Sequence, residues 1–388
     1  MAARAVNRLG AFTLPFLAVL LTQRFGASIT RAGLVVALFG VGTIRSRLVG
    51  GPLADRFGRR TTIVAGLCGC ALGQLLVAGS GTLVQAAGAT VVLGLAFEIY
   101  EAPSQAMIAD VVSPADRPAA YGLMAAALAL AGMAAGLIAL GVGGLDLRLL
   151  FVMDAATCLV CAAMVRITLP PASGAGPGSR ANHGRSNDVR ARVLSPWRDR
   201  LLLMLALSGT GFAMIYFQIM VTLPLTLVER GLAADQFGVL LTVSALPVIG
   251  GQPVLGLAWL RDQGPTAAMV TGYLLCAVGL LGCGFASSLV GFVAATVVLS
   301  LGDLALLGRA TALVSTIAPG SSLGRYLAVY GLSWGVAGVV TPVVGTEALS
   351  RLGVSWLWTG FASLSLALAV AQLLLRPALV RRLGSPRG

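Results

Sequence analysis

The sequence of 388 residues contains no lysine: all 27 basic residues are arginine. That absence removes a phosphate-loop lysine and a Schiff-base lysine, so ATP-driven transport or imine chemistry by this chain alone is excluded. Histidine is nearly missing too. The single one, His183, sits in a polar stretch, so no Ser/His/Asp set, Cys/His pair or HExxH zinc motif can be assembled. Charged residues make up 11% and hydrophobic ones 57%, with a mean hydropathy of +0.91, which excludes a water-soluble globule. The six cysteines (Cys68, Cys70, Cys158, Cys161, Cys276, Cys283) all lie in apolar stretches, where they act as small hydrophobes. Neither an enzyme nor a metal centre is expected, and no cofactor.

What is present is apolar length. The runs Thr61 to Phe97, Leu201 to Val228, Gln263 to Gly302 and Leu352 to Leu375 carry no charge at all. A crossing helix needs about 20 apolar residues, so the longest runs must each fold as two helices, turning at Gly79-Ser80-Gly81-Thr82 and near Ser287-Ser288. The expected spans are 9–27, 32–54, 61–79, 83–108, 119–141, 147–168, 201–228, 236–259, 265–286, 288–316, 324–347 and 352–375. The predicted fold is all-α and integral to the membrane, with twelve transmembrane helices in two six-helix pseudo-symmetric bundles.

On this topology 19 arginines, among them Arg4, Arg8, Arg56, Arg59, Arg60, Arg166, Arg381 and Arg382, fall on one side. The other side receives Arg24, Arg31, Arg148, Arg230 and Arg351. The positive-inside rule makes the rich side cytoplasmic, with both termini there, and the absence of lysine, a mark of a GC-rich genome, suggests a bacterial inner membrane. The net charge of +13 is then topological rather than a nucleic-acid footprint. Arg4 and Arg8 ahead of an apolar stretch resemble a signal peptide, but Pro15 interrupts the stretch and the segment reads as an uncleaved first span. Residues 169–200, rich in Pro, Gly, Ser and Asn with six arginines, form a basic cytoplasmic linker drawn to lipid headgroups. It divides the chain into an N-terminal half, 1–168, and a C-terminal half, 201–388.

An internal repeat supports that division. Pro114 and Tyr121 recur as Pro319 and Tyr326 at an offset of 205 residues, and Gly81 falls on Ala286. The offset also maps Glu98 onto Asp303 and Leu137 onto Pro342.

The segment after the second span reads Gly51-Pro52-Leu53-Ala54-Asp55-Arg56-Phe57-Gly58-Arg59-Arg60. It resembles the signature loop between spans two and three of the major facilitator superfamily, G-x-L-a-D-R-x-G-R-R, and the twelve-span drug:proton antiporter branch in particular. Gly51 permits close helix approach, Gly58 takes a positive φ in a tight turn, and Asp55 accepts backbone N–H bonds or faces an arginine. The resemblance implies that the loop latches the two halves, its arginine near an acid ending span four, for which Asp110 is the match. Two branch features depart: Gly132 and Gly136 are followed by Leu137 rather than proline, and span four carries no arginine.

The informative residues are charges a bilayer should exclude. Glu98 and Glu101 fall in span four, Asp154 in span six, Asp303 in span ten, with Arg45 and Arg47 in span two and Arg309 in span ten. At about 2.5 to 3.5 kcal/mol for a charge at mid-helix, each must face a wet cavity, pair or neutralise. Glu98, Glu101 and Asp303 are the expected proton-coupling acids, with Arg45, Arg47 and Arg309 as charge partners. Depth counted along the spans pairs Arg45 with Glu98, or Arg47 with Glu101. Asp154 reads as a structural hydrogen bond near the outer end of a peripheral span, and Arg309 as a snorkelling side chain. Phe97, Tyr100, Tyr216, Phe217 and Gln218 are candidates for a greasy cavity.

These readings predict a monomeric secondary transporter, proton-coupled and exporting amphipathic drug-like molecules, with small-molecule substrate, protons and lipids as partners and no nucleic acid. A proton symporter importing a metabolite and a transport-inactive membrane scaffold of the same fold are the alternatives.

Overall fold

A computed structural model describes residues 6–7, 12–100, 103–104, 117–168, 196–255, 265–306, 309–318 and 323–384. Within these, the side chains at 51, 55, 117–126, 129, 196, 248–249, 251–255, 265, 323–325, 328 and 383–384 are not described. Among the described residues there are helices and turns and no strands. The N-terminal half comprises α1 (Thr13–Phe25), α2 (Ile29–Phe57), α3 (Arg59–Gly79), α4 (Leu83–Phe97), α5 (Arg117–Gly143) and α6 (Leu147–Thr168). The C-terminal half comprises α7 (Arg200–Glu229), α8 (Phe237–Leu255), α9 (Pro265–Phe285), α10 (Leu289–Leu306), α11 (Arg309–Ile317), α12 (Leu323–Leu352) and α13 (Val354–Gly384). With α10 and α11 serving one crossing, the twelve spans form two six-helix bundles.

Helix starts are set by side chains that satisfy the first free N–H groups. Ser28 accepts from Arg31, Thr82 from Gln85, and Asp199 from both Leu201 and Leu202. Gly58, with φ of 84°, turns the chain from α2 into α3. Two boundaries differ from expectation. The signature segment is helical through Phe57, so Gly58 is the one break between spans two and three rather than part of a longer loop. Span four leaves the helix after Phe97, with Glu98, Ile99 and Tyr100 in a turn. Span ten covers Leu289–Ile317, close to the expected 288–316, with residues 307–308 outside the described residues.

The repeat is visible in packing, at a register one residue longer than the sequence comparison gives. Leu83 and Leu289 start α4 and α10, 206 residues apart, and their caps Thr82 and Ser288 each accept from the N–H three residues on. The buried pairs Cys70 and Cys276, Thr90 and Thr296, and Leu93 and Leu299 keep that spacing. A Cβ on Gly73 would press on Leu93, and one on Gly279 on Leu299. Asp303 therefore matches Phe97, and Glu98 matches Leu304. One residue is about 100° of helix, so the two acids are not equivalent in the two halves.

The halves meet along two seams of small residues. On α2 and α12, Gly33 lies against Pro342 and Thr346, Gly40 against Gly338, and Ile44 against Gly335. On α5 and α8, Gly136 and Gly238 abut each other, and Thr242 donates to the Met133 carbonyl at 3.2 Å.

Candidate functional site

The α2–α12 seam leads to the charges. At its Arg-poor end Thr30 donates to Glu347 at 2.8 Å, and Glu347 pairs with Arg351. From there Gly33 and Gly40 mark one face of α2, and Arg47 is the next position at the same seven-residue step, within about 20° of that face. Arg47 thus lies on the stripe that faces the other half, one turn past the last contact, Ile44 with Gly335. Its Nη2 is 3.3 Å from Oε2 of Glu98, with side chains 51% and 20% exposed. Ser46 fixes the height of the pair, its hydroxyl accepting the Glu98 N–H at 3.1 Å.

Of the two arginines it is therefore Arg47, not Arg45, that pairs with Glu98. The reason lies in the approach of α2 to the end of α4, where Gly42 meets Gly94 and Gly50 meets Ile99, which sets Glu98 beside residues 46–47. Arg45, on another face of α2, is exposed. Glu101 and Asp110 lie outside the described residues, as does the side chain of Asp55. Gly51 and Leu53 are in the last turns of α2, Arg56 stacks on Phe57 at 5.2 Å, and Arg60 donates to the Arg166 carbonyl at the end of α6. Arg59 begins α3.

A second polar set fills the interior of the N-terminal half. Asp154 on α6 is buried and accepts from Thr13 of α1 at 2.9 Å and from Gln74 of α3 at 2.6 Å. Asn7 donates to Cys158, one turn beyond, and accepts from Tyr100 at 3.0 Å. Tyr100 is thus bound within its own bundle. Phe97 packs edge-on against Phe39.

The C-terminal half is different. Asp303 has the Cys276 thiol at 3.9 Å, and among the described residues no arginine pairs with it. Arg309 starts α11 and is half-buried. Tyr216 and Phe217 gather around Trp334 at 5.3 and 5.9 Å between ring centroids. Gln218 is fully buried with its amide against Gly345, at the α7–α12 contact rather than on an open cavity wall.

Sequence reasoning passed over one site at the Arg-rich end. Asp199, buried ahead of α7, caps that helix, accepts from Tyr326 of α12 at 2.8 Å and pairs with Arg382 of α13 at 2.7 Å. Burial works against its charge, but the Tyr326 and Arg382 contacts outweigh it and hold the carboxyl below its usual range. An Asp directly before an apolar run was the available signal.

Two packed bundles, a seam closed at one end and a half-open ion pair beyond it describe a carrier. Comparison with known proteins agrees: the model of the Major Facilitator Superfamily matches residues 1–256 and 201–388. The chain belongs to that superfamily. It is a multi-pass membrane transporter of this type and not an enzyme. It is 24% identical over 358 residues to the uncharacterised MFS-type transporter YhjO of Bacillus subtilis (strain 168), covering 89% of this chain and 84% of the relative. A Na(+), Li(+), K(+)/H(+) antiporter of Planococcus maritimus is 23% identical over 372 residues, covering 85% and 83%. Among solved structures, a peptide transporter POT in complex with sulfate superposes with a TM-score of 0.80 at 16% identity, over 98% of this chain and 94% of that one. A bacterial homologue of the human lysosomal transporter Spinster, in an inward-facing and occupied conformation, gives 0.74 at 15% identity over 100% and 97%. Both likenesses concern the fold.

Proposed function

We propose that this secondary transporter exports amphipathic small molecules in exchange for protons, the two bundles rocking against each other at the α2–α12 and α5–α8 seams. The Arg-rich end is the cytoplasmic one on this reading, so both termini and the 169–200 linker are inside and this conformation is inward-facing. One observation carries the proposal: the Arg47–Glu98 pair lies on the α2 face turned toward the other half, just past the point where the seam ends.

A carboxylate held by an arginine at the rim of a wet gap is stable either paired or protonated. In the inward state Glu98 gives its proton to the cytoplasm and pairs with Arg47, and the site accepts its cargo. In the outward state a proton reaches Glu98 from outside, Arg47 is released and the cargo leaves. Asp303 is the second acid of the cycle, and Glu101 the third. Asp55, Arg56, Arg59 and Arg60, with Asp110, form the latch that holds the inner end when the cavity faces out. The antiporter of Planococcus maritimus favours a second reading, in which the cargo is an inorganic monovalent cation.

The test is a proteoliposome with a trapped pH dye and an acidic interior. Addition of a cationic amphiphile outside is expected to raise the internal pH as protons leave. A fall in pH means symport, and a response to sodium alone supports the second reading. Glu98→Gln is expected to abolish the pH change; an unaltered rate and pH dependence removes Glu98 from the coupling.

A further inference from the structure

Glu98 does not stand on a helix. α4 ends at Phe97, and Glu98, Ile99 and Tyr100 form a turn. Past the last rung of a helix the backbone loses its own ladder, so side-chain bonds decide where a carboxyl on such a turn points. Two sides grip this one. From α2, the Ser46 hydroxyl accepts the Glu98 N–H at 3.1 Å, and Gly50 leaves room for Ile99 to close against that helix. On the other side is Tyr100. Its ring packs against the buried cluster of Ile63, Leu67, Cys161, Ala162 and Val165 between α3 and α6, and its hydroxyl donates to Asn7 at 3.0 Å.

The Tyr100 bond begins a chain. Asn7 donates onward to Cys158 of α6 at 3.2 Å, and one turn along α6 Asp154 accepts from Thr13 of α1 at 2.9 Å and from Gln74 of α3 at 2.6 Å. α6 thus holds residues 7 and 13 at two successive turns, and residue 7 holds Tyr100. Gln74, Asp154 and Cys158 are all buried, so the far end of the chain is the closed interior of the bundle. The near end is the half-open pair. Cys70 on α3 feels the charge of both Glu98 and Asp154, so the two acids flank one helix.

We propose that Tyr100 is a positioning residue for the coupling acid: through Asn7 and Cys158 it ties the turn bearing Glu98 to the interior of the N-terminal bundle and keeps the carboxyl facing Arg47. The inference rests on the transport reading above, in which Glu98 carries the proton. Arg47 belongs to the same bundle, so a turn anchored there moves with its arginine when the halves rock, and the pair opens on protonation rather than on the motion itself. The titratable groups that reach Glu98 from neighbouring helices are Arg47 of α2 and Cys70 of α3, and Arg45 lies on another face. Loosening the turn weakens the contact with Arg47, and a carboxylate less well held by an arginine keeps its proton to higher pH.

Tyr100→Phe keeps the ring and removes the bond to Asn7. Proton exchange by full-length protein in proteoliposomes, driven by a cationic amphiphile, is followed from about pH 5 to about pH 9, and the pH of half-maximal exchange is expected to rise by about half a unit or more. Asn7→Ala should move it equally and the double variant no further, because all three remove one bond. Cys158→Ser keeps an acceptor for Asn7 and should stay near the wild-type profile. Amide hydrogen exchange over residues 96–100 should quicken in Tyr100→Phe. A uniform fall in rate with the half-maximal pH unmoved is what a merely structural role gives, and it overturns the proposal. So does a double variant whose shift is the sum of the two, or unchanged amide exchange in the turn. The two failures are distinct. If Glu98→Gln stops proton exchange while Tyr100→Phe keeps the wild-type profile, the tether falls and the transport reading stands. If the wild type moves no protons although the turn loosens in Tyr100→Phe, the transport reading falls and takes the assigned role of the tether with it.

Discussion

The two halves share a skeleton and not a chemistry. Helix starts, caps and the glycine contacts of α3 with α4 return in α9 and α10 at 206 residues, because those positions set how closely backbones approach. The acids do not return. Asp303 matches Phe97, and the buried Asp154 of the N-terminal half has no acidic counterpart, the chain near Gly360 and Phe361 being apolar. In the N-terminal half the deep acid is closed in by donors from two neighbouring helices and the pair Arg47–Glu98 sits at the rim. In the C-terminal half the deep acid touches a thiol and the well-bonded one, Asp199, is at the membrane edge. Symmetry marks the packing positions, and the residues that break it are the candidates for chemistry.

The sharpest way to break the comparison is to remove each deep acid in turn. Asp154→Ala takes the acceptor from the buried Thr13 hydroxyl and one of two acceptors from the Gln74 amide, which keeps its bond to Thr13, and is expected to cost about 3 kcal/mol. Asp303→Ala removes a half-buried carboxyl whose partner among the described residues is Cys276, and is expected to be neutral or stabilising, as loss of a poorly satisfied charge often is. Thermal unfolding of both variants in the same detergent checks this. A comparable loss for both would mean that Asp303 is structural too, and the division drawn between the halves would fail.

That contrast also locates what the sequence makes legible. Span number, the turns at 79–82 and 287–288, the family signature and the intramembrane charges follow from apolar length and from residue types a bilayer rejects. Pairing does not, because it depends on helix tilt and sliding: a count of depth from the ends of spans two and four pairs Glu98 with Arg45, and the glycine contacts of α2 with α4 bring it to Arg47. A repeat read from a proline and a tyrosine near loops misses by one residue the register that buried Cys70 and Cys276 reveal. The Asp199 clamp draws on three helices that meet only when the bundle closes, so only its cap was there to be read.

Asp199 sharpens the comparison at the membrane edge. Asp199→Ala removes the α7 cap together with the Tyr326 and Arg382 bonds, and is expected to lower the stability of the C-terminal half by about 2 kcal/mol. The pH dependence has a definite sign. The folded carboxyl titrates below its unfolded value, so its contribution is complete above the ordinary carboxylate pKa of about 4 and is lost as pH falls through the lower, folded one. Wild-type and Asp199→Ala unfolding curves, separated at pH 7 and at pH 5, should converge only below pH of about 4. Convergence near neutrality would mean that the carboxylate is not held ionised by Tyr326 and Arg382.

The smallest effect tests the skeleton itself. Thr82 and Ser288 cap α4 and α10 at matched positions, each accepting at 3.3 Å from the N–H three residues on, and both sit at the same end of their bundles. If the two bundles are one unit in two copies, Thr82→Ala and Ser288→Ala remove the same bond from the same place and should each cost about 1 kcal/mol or less. The double variant should show their sum, since the sites share no partner. Amide hydrogen exchange over residues 83–86 and 289–292 reads the loss locally, where a global melt would blur it. Faster exchange at one cap alone would show that the helix starts coincide in number without being built alike, and the 206-residue register would then lose its physical basis.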